Sequence, residues 1–109
     1  MNTSQQIRFI ANHYGLESQS RQLMEECGEL AQATNKVWRL TKELSTDPGK
    51  AKEYVTSENN LVEEMADVSI MIAQIQEILG ISNERVTEQV DVKLNREIER
   101  IQKGGMTYQ

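Results

Sequence analysis

Apolar residues recur along this chain at spacings of three and four, the mark of helices that each bury one face. Thr3 and Gln6 resemble a capping box, after which Ile7, Phe9, Ile10 and Tyr14 form a short apolar face that Gly15 ends. A second helix is predicted over residues 18–44. Its positions Leu23, Cys27, Leu30, Thr34, Val37, Thr41 and Leu44 alternate spacings of four and three, a seam suited to shallow packing against other helices. Met24, Ala31 and Trp38 widen this seam beyond what so short a chain covers, which predicts a partner subunit. Asp47-Pro48-Gly49 marks a turn. Residues 50–60 are polar and fit either a short helical piece or a flexible link, the best-placed segment for a lid.

A third helix is predicted from residue 57 or 58 to 79. Met65, Val68, Ile72, Ile75 and Leu79 form one stripe, and Ile70, Met71 and Ile78 add apolar surface elsewhere, so it reads as a central helix buried on several sides. Gly80 stops it, and Ser82 is placed to cap the next. The fourth spans residues 83–103 with Val86, Val90, Leu94, Ile98 and Ile101 facing inward, and Gly104-Gly105 ends it. The sum is an all-α bundle of three long helices and a short N-terminal one, completed by oligomerisation.

Composition narrows the class. A chain of 109 residues with 38% hydrophobic and 27% charged residues fits one globular domain spanning residues 1–109. A net charge of −5 opposes a nucleic-acid partner, so polyanionic substrates need local cations. The single Cys27 excludes an internal disulfide and fits a reducing compartment. No run approaches the roughly 18 apolar residues of a membrane span, and the first residues do not resemble a signal peptide. A cytoplasmic protein without a membrane partner is the expectation.

Two acidic motifs carry the chemistry: Glu25-Glu26-Cys27-Gly28-Glu29 and Glu63-Glu64-Met65-Ala66-Asp67. Residues three apart in a helix lie about 4.5 Å apart along the axis and roughly 60° apart around it. Glu26 and Glu29 can therefore aim at one point, as can Glu64 and Asp67. Acids on a helix are ordinarily surface, but these adjoin apolar seam positions. Four carboxylates near a core repel one another unless a cation holds them. Mg²⁺ suits all-oxygen donors and keeps waters for a phosphate substrate, with Mn²⁺ its nearest substitute. A di-iron site wants Glu-x-x-His motifs, and the chain's one histidine, His13, lies in neither. Gly28 inside a helix suggests close backbone approach there.

Glu26-x-x-Glu29 followed by Glu64-x-x-Asp67 resembles the signature of the MazG-like all-α nucleoside triphosphate pyrophosphohydrolases. The likeness runs from about Arg21 to Arg100, because Lys93-Leu94-Asn95-Arg96 and Arg100 are similar to the family's basic C-terminal element. Ala66 stands where many members carry Gly, and the basic, proline-ended tail of some relatives is missing. The resemblance implies that the four acids bind Mg²⁺ and that a nucleoside triphosphate is cleaved between its α- and β-phosphates. The products would be the monophosphate and pyrophosphate.

Within that reading Glu25, Glu63 or a ligating Glu with a free oxygen is the candidate base for an attacking water. Lys93 and Arg96 would stabilise the leaving pyrophosphate. Lys36, seven residues after Glu29, shares nearly its face and is a further substrate candidate. Trp38, His13 and Met71 read first as packing or local structure, and Cys27 as a small core residue. The expected assembly is a homodimer or homotetramer. The competing readings are a catalytically silent helical scaffold and a phosphoribosyl-ATP pyrophosphatase.

Overall fold

The computed structural model describes residues 1–104, all of whose regular elements are helical. Helix α1 spans Thr3–Leu44, a 3₁₀ turn covers Pro48–Lys50, α2 spans Ala51–Leu79 and α3 spans Asn83–Gly104. The expected break at Gly15 is present as a kink inside α1, where that residue takes φ 83° and ψ 173°. A positive φ of this size is open to glycine and strained for other residues. The capping box sits one residue earlier than its expected place: Asn2 Oδ1 accepts from the Gln5 backbone N–H at 2.8 Å, and Gln5 Oε1 accepts from the Asn2 N–H at 2.9 Å.

The other boundaries follow local chemistry. Asp47 Oδ1 accepts from the Gly49 N–H at 2.9 Å, which closes the turn around Pro48. Gly80 ends α2 in the left-handed conformation at φ 66°. Ser82 Oγ accepts from the Arg85 N–H at 3.3 Å and caps α3. Residues 51–60 form the first turns of α2, so the segment considered for a link or lid is continuous helix. Lys50–Glu53 and Tyr54–Glu58 side-chain pairs support it along its exposed side. Of the expected helix stop, Gly104 is the last residue of α3, and Gly105 lies outside the described residues.

Helices α1 and α2 fold back on each other as an antiparallel pair. Arg8 Nε meets Glu77 Oε1 at 2.7 Å near one end, and Lys50 Nζ meets Glu43 at 3.9 Å near the other. The seam between them has a different phase from the one the apolar count predicts. On α1 the buried positions are Ala11 before the kink and Gln19, Ala33 and Leu40 after it, with Glu26 half-buried at the same spacing of seven. Leu23, Leu30, Val37 and Leu44 are half-buried between them. Cys27, Thr34 and Thr41, expected in the seam, are exposed. On α2 the seam is Ser57, Leu61, Glu64, Val68, Met71, Ile75 and Ile78, an alternation of four and three, with Gln74 buried beside it. Met65, Ile72 and Leu79 face away from it and are exposed. One acidic residue from each helix therefore occupies a position that packing alone would give to an apolar side chain.

Little of the chain is covered. Ala11, Ala33, Leu40 and Met71 are the buried apolar residues among those described. Helix α3 buries none of its residues; the stripe expected to face inward is open, with Leu94 57% and Ile98 51% exposed. The radius of gyration is 18.2 Å, against about 13 Å for a compact chain of this length. Gly28 has nothing within 4 Å of the position a Cβ would take, so no close approach within the chain demands a glycine there.

The seam's phase is open to test by denaturant unfolding. Leu40→Ala is expected to lower the unfolding free energy by about 2–5 kcal/mol. Thr41→Ala, on the exposed side, is expected to change it by about 0.5 kcal/mol or less.

Candidate metal centre

The two acidic motifs meet because α1 and α2 run antiparallel with Glu26 and Glu64 in their facing seams. Donor oxygens of Glu26, Glu64 and Asp67 lie within 4.8 Å of one another. Asp67, one turn beyond Glu64, approaches from the exposed side, while Glu26 and Glu64 are half-buried. Glu29 is exposed and lies outside this tightest group, yet it stands close enough to Glu64 to act on it. Burial first, then the negative charges of Glu29, Glu26 and Asp67 and a hydrogen bond with Glu29, push the Glu64 carboxyl above its ordinary value of 4.5.

Two oxygens bear on whether the cluster fits a cation. Glu26 Oε2 and Glu64 Oε2 are both covered from solvent and hydrogen-bond to nothing. Carboxylate oxygens accept only, and leaving them buried and unpaired is costly. A divalent cation satisfies such oxygens, and an all-carboxylate donor set suits a hard ion such as Mg²⁺ or Mn²⁺. The residues present therefore fit such an ion.

Glu25 is exposed on the outer side of α1, beside Tyr14, Glu17, Ser18, Arg21 and Gln22. Glu63 is exposed on α2. Lys36, Lys93 and Arg96 are exposed, and among the described residues none of them forms an ion pair with the four acids. Arg100 pairs with Glu97 at 3.3 Å. Trp38 is 56% exposed, with the Lys42 ammonium 4.1 Å from its ring centroid. It closes one end of an open groove along α1 formed with Cys27, Leu30, Ala31, Thr34 and Asn35. Cys27 is thus an exposed thiol and not the core residue its spacing suggests. His13 stacks edge-on against Tyr14, and Met71 is core. Gln22, which the acidic spacing alone passes over, donates to Glu26 Oε1 at 2.7 Å. Its position one turn before Glu26 was the available signal.

With this geometry in place, the chain's class is clear. The family model for the MazG nucleotide pyrophosphohydrolase domain matches residues 15–101, and the chain belongs to that family. The match takes in both acidic motifs, the turn between α1 and α2, and nearly all of α3. It places the chain in a family of hydrolases, of all-α fold, that act on nucleotides. No curated protein and no solved structure matches the chain. Among the described residues no helix is long and apolar enough to cross a membrane.

The raised Glu64 carboxyl has a consequence for stability. The folded chain holds this proton more tightly than the unfolded chain, so ionising Glu64 works against folding. Metal-free protein is expected to lose stability as pH rises from about 4.5 through the higher folded value. Glu64→Gln removes that cost. Thermal unfolding in a chelator is expected to show the variant more stable than the parent at pH 7, with the gap closing below the unfolded value.

Proposed function

We propose that this chain is a Mg²⁺-dependent nucleotide pyrophosphohydrolase that cleaves a nucleoside or deoxynucleoside triphosphate between its α- and β-phosphates, releasing monophosphate and pyrophosphate. The observation that carries the reading is the meeting of Glu26, Glu64 and Asp67 within 4.8 Å, in a chain of this family, with two covered carboxylate oxygens unpaired. Glu26, Glu64 and Asp67 would hold the ion, and Glu29 completes the set from the open side. The bound ion would neutralise phosphate charge and acidify a water.

The remaining roles belong to the protein's own side chains. Glu25 or Glu63, both exposed beside a ligand, would accept the proton from the attacking water. Alternatively that proton passes to a ligating Glu with a free oxygen. Lys36, seven residues along α1 from Glu29, would meet the phosphates from the open side. Lys93 and Arg96 would stabilise the departing pyrophosphate.

This reading includes a homo-oligomer, a dimer or tetramer whose copies share the site. The apolar stripe of α3, the groove at Trp38 and the outward residues of α2 expose more apolar surface than an isolated chain ordinarily leaves in water. A second copy covering those faces would also bring the Lys93 and Arg96 of one chain to the acids of another. The phosphoribosyl-ATP pyrophosphatase and silent-scaffold readings make different claims about turnover, and the assay below separates them.

The purified chain, incubated with Mg²⁺ and a panel of ordinary and modified nucleoside triphosphates, is expected to release pyrophosphate and monophosphate. Cleavage of phosphoribosyl-ATP alone would reassign the substrate, and inertness without any Mg²⁺-dependent thermal shift would leave the scaffold. Glu29→Gln and Asp67→Asn are each expected to abolish turnover with the helical circular dichroism intact; activity surviving both would put the ion elsewhere. Light scattering is expected to return at least twice the chain mass of 12.5 kDa. Mixing inactive Glu29→Gln and Arg96→Ala subunits is expected to restore activity if Arg96 acts across copies.

A further inference from the structure

Among the described residues, Gln22 supplies the one amide, hydroxyl or cationic side-chain donor that is hydrogen-bonded to any of the four acids. It lies one turn before Glu26 on α1, and its Nε2 donates to Glu26 Oε1 at 2.7 Å. Glu26 Oε2 is covered and without a partner. The two oxygens of this carboxylate are thus already distinguished: one accepts from the protein, and the other has no protein partner. The chemistry of the donor matters as much as its position. Lysine or arginine at residue 22 would neutralise the carboxylate and compete with a divalent ion. An amide carries no charge, so it orients Glu26 and leaves its negative charge for the metal.

Geometry separates this pair from an ordinary surface contact between helical neighbours. Exposed pairs four residues apart join two mobile side chains in water. Here both residues are half-buried, and Glu26 faces α2 in the seam. A carboxylate with a hydrogen bond to one oxygen offers its other oxygen as the stronger ligand for a cation. Mg²⁺ demands a near-octahedral shell and retains waters. Ligation through that other oxygen would leave positions in that shell for water and for substrate phosphate.

We propose that Gln22 is a positioning residue, whose amide orients Glu26 so that its other oxygen faces a divalent cation and thereby sets the chain's affinity for that ion. The proposal rests on the metal-centre reading given under Proposed function.

The test is calorimetric titration of the metal-free full chain with Mn²⁺, alongside thermal unfolding without metal. Gln22→Met, which keeps the bulk and loses the donor, is expected to weaken Mn²⁺ binding by about 10-fold or more, as loss of a partner to a metal ligand does. Its metal-free melting temperature is expected to stay at the parent's value. Gln22→Ala, which adds no bulk, is expected to behave alike and guards against a packing artefact of methionine. Glu26→Gln is expected to lose binding. Parent-like affinity in both Gln22 variants, with binding lost in Glu26→Gln, overturns the proposal and leaves the metal centre standing. A melting temperature that falls in both variants overturns it too, since Gln22 would then be structural. Absence of Mn²⁺ binding to the parent chain overturns the proposal together with the reading on which it rests.

Discussion

The constraint that organises this chain is electrostatic: two carboxylates face each other in the seam of an antiparallel helix pair. Glu26 and Glu64 occupy positions where Ala33, Leu40, Val68 and Met71 sit elsewhere along the same interface. A pair of helices gains most of its stability from apolar burial, and here the midpoint of the contact opposes that gain. Asp67 and Glu29 add charge to the same place. The pair therefore holds together through the apolar positions on either side and through contacts at its ends. Arg8 to Glu77 and Lys50 to Glu43 are exposed ion pairs of the kind worth little individually. A site of this composition is tolerated because it is short, one turn on each helix, and because its outer side is open to solvent.

Much of the architecture was legible in residue chemistry. Glycines at residues 15 and 80 mark the kink and the end of α2, Asp47-Pro48-Gly49 marks the turn, and Ser82 marks the start of α3. Each of these is a local event, decided by a backbone angle or one hydrogen bond. The seam was harder to read because α1 carries apolar residues on two sides. One side packs on α2 and the other forms the open groove from Cys27 to Trp38. Counting apolar residues blends the two faces and rotates the predicted seam by one position, placing Cys27 and Thr41 where Glu26 and Leu40 belong. The early turns of α2 were ambiguous because their outward side is polar, and side-chain pairs along the exposed side support them as helix.

The acidic centre was legible for a different reason. Spacing of three on each helix brings pairs of carboxylates together whatever the tertiary structure, and one antiparallel crossing suffices to join the pairs. The unequal burial of the four acids was not accessible that way. It depends on which residue of each pair points along the seam, and that follows from the helix phase. The same dependence explains why Gln22 escapes a search for acids: it matters only because Glu26 is turned inward. The basic residues of α3 show the opposite case. Their spacing puts Lys93 and Arg96 on one side of a helix, but the position of that helix is not set by any buried contact of its own.

The kink at Gly15 bears on how chains of this kind can vary in length. A helix propagates rotation: one inserted residue turns everything beyond it by about 100°. An insertion between Gln19 and Glu26 would swing Glu26 out of the seam and scatter the carboxylates. The glycine decouples what precedes it, because its extended ψ breaks the helical register. A change of length within residues 3–14 is therefore not passed on as rotation to Glu26, although Ala11 and Arg8 still tie that segment to α2. The family likeness begins at residue 15, at that same joint. The segment before it sets its own helical phase against α2, while the segment after it is bound to a fixed count of residues.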